Sequence, residues 1–465
     1  MRFLSIALLI VGLLPTFAAD TFLPEKERVR ARDIFRELIE IRSTHDVGTT
    51  KIANAIAARL KTAGFSGDEV QILSPKPGKE NVLVRFHGTG SEKPILFIGH
   101  IDVVEAKRED WTSDPFKLTE RDGFFYGRGA TDMKNEVADM VENLIRLKEE
   151  NFKPSRDFIV AFTADEEGGG TDNGVEWLMN NHRDLIEAPF CINPDGGGGE
   201  IKAGKYVALS VQTAEKVYLS FRLEAKDKGG HSSIPTPDNP IFRLSQALAR
   251  LSNFKFPIHM NETVRKEFAL LAETEKDPAT AADLKAISAD PGNWEAADRL
   301  ATKPIYNALM RTTATVTMIS GGHAENALPQ TVSAIVNSRI LPEDSADAVE
   351  ATLKRIIADE KISLSRIEPP KPSPASPVNP YIFDKVEKIG REMWPEVVAM
   401  PTMQTGATDG LFLRAAGIPV YGLSAMFVDF EDPRAHGKDE RIGVNDYYNG
   451  VEFMYRLLKA LGQSK

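Results

Sequence analysis

The chain carries one cysteine, Cys191, in 465 residues. No intrachain disulfide can form, so stability must come from packing or metal. Cations are the minority charge: 57 Lys and Arg against 67 Asp and Glu leave a formal net charge of -10. Sequence-independent nucleic-acid binding needs a clustered excess of cations to displace counterions from phosphates, and this balance argues against it. Past the N-terminus no stretch reaches the ~20 apolar residues that cross a bilayer, so no stable membrane anchor is expected. The run Gly196–Gly199 lacks both GxGxxG spacing and a Gly-Lys-Ser/Thr ending. Close backbone packing, not a phosphate cradle, is the simpler reading of it.

The N-terminus holds Arg2, an apolar stretch from Phe3 to Leu14, and the small residues Ala18 and Ala19 before Asp20. Those are the three regions of a secretory signal, residues 1–19, cut after Ala18 or Ala19, which predicts a secreted or periplasmic protein. A retained N-terminal anchor is the alternative. The composition, 42% hydrophobic and 27% charged, is that of an ordinary globule, and the length exceeds what one core usually serves, so two domains are expected.

Apolar residues recur at three- and four-residue intervals over Glu25 to Ile41 and Ile52 to Ala63, predicting helices. Short apolar runs bounded by Gly, Pro or acidic residues predict strands at Asn81 to Phe86, Pro94 to Ile98, Asp157 to Ala164 and Pro189 to Ile192. Strands alternating with helices imply an α/β fold with a mainly parallel sheet. From Thr213 the pattern changes to half-exposed alternation, as in Lys216 to Ala225 and Thr331 to Leu341. That predicts an inserted α+β lid domain over 213–368, splitting a catalytic domain into 20–212 and 369–465. The polar, Ala-rich segment from Asn261 to Arg299 reads as a helical elaboration within the insertion. The run from Glu368 to Pro377 reads as a stiff linker with little to bury.

Chemistry-bearing residues stand where apolar runs end: His100 and Asp102 in GHIDVV, Asp132 in GRGATDMK, the Asp165-Glu166-Glu167 triplet, Asp195 in NPDGG and His436 in AHGKDE. Ligands gather at the C-terminal edge of parallel strands in open α/β sheets. Imidazole with carboxylate suits zinc and its neighbours, and acidic groups crowded beside two histidines need positive charge to stay ionised. The set reads as a two-metal hydrolase.

In order along the chain, GHIDVV, WTSDPF, GRGATDMK, TADEEGG, NPDGG, GGHSSIP, NALP, GATDG and AHGKDE resemble the M20 family of zinc-dependent aminopeptidases, carboxypeptidases and aminoacylases. The long insertion most resembles its carboxypeptidase and N-acyl-amino-acid hydrolase branch. The resemblance implies a zinc-exopeptidase-like fold and two Zn2+ per subunit, with Co2+ or Mn2+ as substitutes. Asp132 would bridge the ions, with His100 and Asp195 completing one site and Glu167 and His436 the other. Glu166 would be the general base toward a hydroxide held between the metals, though spacing alone allows Glu166 and Glu167 in either order. Asp102 would accept the free ring N–H of His100, and His231 would donate to the oxyanion. The resemblance further implies that Asn326 and Arg339 hold the substrate, Arg339 by gripping its free carboxylate, and that Asp132-Met133 is a cis peptide. The expected reaction is hydrolysis of an amide next to a free carboxylate, in a peptide or, alternatively, in a small N-acyl amino acid. A silent binding module on the same fold is the reading from another class. A homodimer through the lid is the family expectation, a monomer the alternative. His45, His87, His182, His259 and His323 match no motif and read as surface or packing residues.

Overall fold

A computed structural model describes residues 21–168, 172–429 and 432–463. Residues 1–19, assigned above to a signal, lie outside them. Ten strands form the large sheet, and its middle is built from the most apolar runs of the chain. Ile95–His100 and Phe158–Thr163 are buried at every position and pair in parallel, and Cys191–Asn193 and Val420–Leu423 continue the parallel run. Burial on both faces is why these segments read as continuous hydrophobics and not as alternating ones. Toward one edge Asn81–Phe86 and Val70–Leu73 pair antiparallel, as do Lys205–Glu215 and Gly198–Lys202 on the other side, so the sheet is mixed around a parallel centre.

The helix Lys134–Glu149 packs under this sheet between Glu25–Glu40 and Val444–Leu461. Val137, Val141, Leu144 and Ile145 join the largest apolar core there. Each fully buried aliphatic or aromatic side chain contributes about 1.5–3 kcal/mol, so this layer anchors the helix whose first residue, Lys134, stands two positions after Asp132.

A second sheet of four strands runs in the order Thr313–Gly321, Thr331–Ile340, Val217–Lys226 and Ile362–Arg366. In Val217–Lys226 the residues Val217, Leu219, Phe221, Leu223 and Ala225 point inward, and the helices Pro240–Ser252 and Ala346–Ile357 cover that face. Tyr218, Met318 and Ile319 are exposed.

Two expectations change. The helices Glu262–Thr274, Pro278–Ala289 and Trp294–Leu300 do not share the core of the small sheet. They pack with Ala214 and Met403, on the strands Lys205–Glu215 and Val398–Gln404 of the large one. The proline run also buries more than a linker should. Ser373 Oγ donates to Glu215 at 2.8 Å, and Ser376 bridges Thr213 and Val420, so the returning chain is tied to the outgoing one.

No helix among the described residues is long and apolar enough to cross a membrane.

Candidate metal centre

The centre is assembled at the C-terminal edge of the parallel strands. His100 ends its strand, Glu166 and Glu167 follow Phe158–Thr163, and Asp195 follows Cys191–Asn193. Asp132 sits ahead of the helix Lys134–Glu149, across a cis Asp132-Met133 peptide, and His436 stands on a loop with φ +62°. The fold thereby brings the five expected ligands together. His100, Asp132 and Asp195 place one donor atom each within 4.8 Å of one another, and so do Asp132, Glu167 and His436. Asp132 belongs to both groups: Oδ1 is 3.0 Å from His100 Nε2 and Oδ2 is 3.0 Å from His436 Nε2.

Two imidazoles with three carboxylates suit a pair of divalent cations that share one carboxylate. The electrostatics of the protein agree. His100 is pushed well above the ordinary imidazole range, burial opposing but the bond and charge of Asp132 prevailing. His436 rises to about 10 through its bonds to Asp132 and Glu167. Asp132 stays low despite burial because both histidines donate to it. Asp195 is driven to about 7 by burial, with Asp132 and Asp409 adding repulsion, and burial also lifts Glu166 well above the usual carboxylate range. Two imidazoles therefore do not offset the acids gathered here; divalent cations would.

Glu166 and Glu167 differ in their contacts. Glu167 Oε1 lies 2.8 Å from His436 Nε2. The Glu166 carboxylate makes no hydrogen bond or ion pair among the described residues, yet it also falls in a donor group with His100 and Glu167. It lines a cavity of about 370 Å3 walled by Asp409, Val217, Tyr218, Leu411 and Phe412.

Asp102 departs from expectation. The ring Nδ1 of His100 is 3.1 Å from the Asp102 backbone oxygen and 3.8 Å from its carboxylate. The carboxylate instead accepts the N–H groups of Glu166 at 3.2 Å and Glu167 at 3.1 Å. A carbonyl orients a histidine ring as well as a carboxylate does, which frees Asp102 to hold the neighbouring turn.

His231 and Asn326 lie together but away from this cluster. His231 is exposed, in a short two-stranded antiparallel ribbon with Ala327–Leu328, and its Nδ1 meets only Ser233 among the described residues. The Asn326 carbonyl accepts the Ser232 N–H at 3.0 Å. Arg339 stacks on Tyr218, 4.7 Å from the ring centroid, and has no carboxylate partner among the described residues.

Several residues here escaped the sequence reading. Glu440, fully buried, accepts the N–H groups of Gly129, Thr131 and Asp132 and pairs with Arg128, fixing the loop that carries Asp132. Asp409 is buried beside Asn173 and Thr163 and raised to about 7 by that burial. Both sit inside recognised motifs, AHGKDE and GATDG, which was the available signal. Three histidines read as surface or packing residues have acidic partners: His45 Nδ1 is 2.6 Å from Asp165, His87 3.5 Å from Asp157 and His259 3.0 Å from Asp344. Each partner lies far along the chain, beyond the reach of a local pattern. Close backbone packing does account for the glycine run, where a Cβ on Gly196 would strike Gln212 and one on Gly197 the Gly422 carbonyl.

The model of Peptidase family M20/M25/M40 matches residues 96–460. A carboxypeptidase S-like protein of Dictyostelium discoideum is 31% identical over 79% of this chain and 72% of its own length. The N-fatty-acyl-amino acid synthase/hydrolase of Homo sapiens is 29% identical over 79% of this chain and 74% of its own. The fold is shared with an M20 family metallo-carboxypeptidase from Sulfolobus solfataricus, TM-score 0.69 at 19% identity, over 93% of this chain and 99% of that one. This chain belongs to peptidase family M20/M25/M40.

Proposed function

We propose that the protein is a metal-dependent amidohydrolase that cleaves a peptide or N-acyl bond next to a free carboxylate. The observation that carries the reading is the double membership of Asp132, whose two oxygens face two histidine-containing donor groups. His100, Asp132 and Asp195 would hold one cation, and Asp132, Glu167 and His436 the other, with zinc as the proposed metal. Such a pair lowers the pKa of water toward neutrality and polarises a carbonyl.

The remaining steps fall to the side chains. Glu166, buried at the cavity wall and free of ion pairs among the described residues, would take a proton at a carboxylate oxygen and return it to the departing amine. Arg339, partly desolvated and held flat against Tyr218, would grip the substrate carboxylate through two parallel N–H bonds. Asn326 stands with His231 on the lid. Since His231 touches nothing in the cluster, its donation to the oxyanion requires delivery by lid closure or from a second subunit. The exposed apolar residues Met318 and Ile319 on the edge strand Thr313–Gly321 support a homodimer through the lid. The charged, apolar and small-residue pattern of residues 1–19 would, as a secretory signal, make it an exported protein.

Curated relatives named as a carboxypeptidase and as an N-fatty-acyl-amino acid hydrolase support the two substrate classes. Protein stripped with chelator and reloaded with Zn2+, Co2+ or Mn2+ should hydrolyse dipeptides or N-acyl amino acids, and should reject the same compounds amidated at the carboxylate. Reloaded protein that cleaves neither class overturns the reading.

A further inference from the structure

The turn that carries Glu166 and Glu167 is gripped from two sides, and only one of them is the Asp102 carboxylate. On the other side stands Asp165, its side chain fully buried and its backbone at φ +65°. Positive φ is costly for a residue with a Cβ and persists only where the surroundings hold it. The holding groups are His45, whose Nδ1 lies 2.6 Å from Asp165 Oδ1, and Lys79, whose Nζ donates to the same oxygen and lies 3.1 Å from His45 Nδ1. Lys79 is almost wholly buried. Its segment is pinned in turn: the Thr49 N–H donates to the Gly78 carbonyl, and the Ala164 N–H to Asn81 Oδ1 at 2.9 Å. Gly168 closes the turn directly over this pair, where a Cβ would strike both Asp165 Oδ1 and His45 Nδ1. His45 also lines, with Glu167, Val103 and Glu105, a cavity of about 450 Å3.

We infer that His45 and Lys79 are positioning residues that act through the shared Oδ1 of Asp165 to aim the Glu166–Glu167 pair.

A stabilising ion pair is the competing account. Burying a lysine and an aspartate costs desolvation that their attraction rarely repays in full, and here Asp165 Oδ2 has no partner among the described residues. An exposed histidine adds little to stability on its own. What the three groups do secure is a left-handed residue immediately before the two glutamates. Asp102 fixes the amides of those glutamates; Asp165 fixes the peptide that enters them. Removing either partner leaves Asp165 free to leave that conformation, and Glu167 then swings away from His436.

The inference rests on the metal reading above, and zinc uptake tests it without turnover. Apo protein is titrated with Zn2+ alone by calorimetry, for wild type, His45→Ala, His45→Asn and Lys79→Met. The first equivalent should bind each variant as wild type, and the second, which uses Glu167, should weaken about 10–100-fold in His45→Ala and Lys79→Met. The kcat should fall in step while KM holds. The His45→Asn amide can still donate to Asp165 and should recover most of the loss. Two equivalents bound with wild-type affinity by both His45→Ala and Lys79→Met overturn the inference. Should Lys79→Met fail to fold by circular dichroism, His45→Ala, at a largely exposed side chain, decides alone. A wild-type chain that binds two equivalents but cleaves no substrate defeats the proposed activity and leaves this titration to decide the positioning role. A wild type that takes no second equivalent defeats the metal reading and this inference with it.

Discussion

Asp132 Oδ2 lies 3.0 Å from His436 Nε2, while the other oxygen of the same carboxylate faces His100. One side chain thus serves both halves of the cluster, and its removal should not be a half-measure. Asp132→Ala is expected to lose both ions, whereas Asp195→Ala and His436→Ala each lose about one, because a shared ligand supports two sites and a terminal ligand one. Metal content by mass spectrometry of dialysed protein checks this. An Asp132→Ala protein that keeps its full pair would mean the bridge is misplaced.

The two adjacent glutamates should separate by the same measurement joined to kinetics. Glu166→Gln is expected to keep both metals and lose about 10^2–10^4 in kcat, as befits a proton carrier that is not a ligand. Glu167→Gln should lose one metal, since its carboxylate faces His436. The donor group of His100, Glu166 and Glu167 gives the opposite outcome a concrete meaning. If Glu166→Gln is the variant that sheds metal, the two roles exchange.

What the sequence made visible was whatever is decided locally. Ile95–His100 and Phe158–Thr163 could be placed because burial on both faces leaves an unbroken apolar run, and the alternation of Val217–Lys226 announced a sheet with one covered face. The metal cluster was legible only as residue types at strand ends; that Asp132 faces both His100 and His436 is a tertiary fact, reached in advance through family resemblance. The misreadings share one cause. The carboxylate of Asp102 is drawn to amides more than sixty residues away, His45 to Asp165, and Ser373 to Glu215. A hydrogen-bond partner distant in the chain leaves no periodicity to read. The helices between Glu262 and Leu300 went to the large sheet for the same reason, since an apolar stripe says that a face is buried but not against what.

Arg339 should govern affinity more than rate. Its guanidinium is partly desolvated, stacked on Tyr218 and without a carboxylate partner among the described residues, so it has bonds to give. Arg339→Ala is expected to raise KM about 10–100-fold for substrates with a free carboxylate, the worth of about 1.5–3 kcal/mol for a hydrogen bond to a charged group. Amidated analogues, poor in wild type, should be indifferent to the change. Arg339→Lys should recover only part of the loss, because a point charge cannot reproduce the paired geometry. Steady-state kinetics on matched acid and amide substrates checks this, and an equal penalty on both would place Arg339 outside the carboxylate site.

Stability should carry a pH signature from a carboxyl group outside the set of candidate metal ligands. Glu267, on the helix Glu262–Thr274, is buried and accepts the Met403 N–H at 3.1 Å. Burial pushes it from 4.5 up to about 8, and nearby Glu200 adds repulsion. Below about pH 4.5 the group is protonated in both folded and unfolded chains, and its contribution is fully present. Between there and about 8 only the unfolded chain ionises, so unfolding gains ground with each step in pH, and the loss levels off above the folded value. Glu267→Gln, neutral throughout, removes that dependence. Urea unfolding of metal-free wild type and Glu267→Gln from pH 5 to 9 should show the stability difference moving against wild type by up to about 1.4 kcal/mol per pH unit, then flattening. A difference constant across the range would mean that Glu267 is ionised in the folded protein, and that the helix tolerates a charge at its buried face.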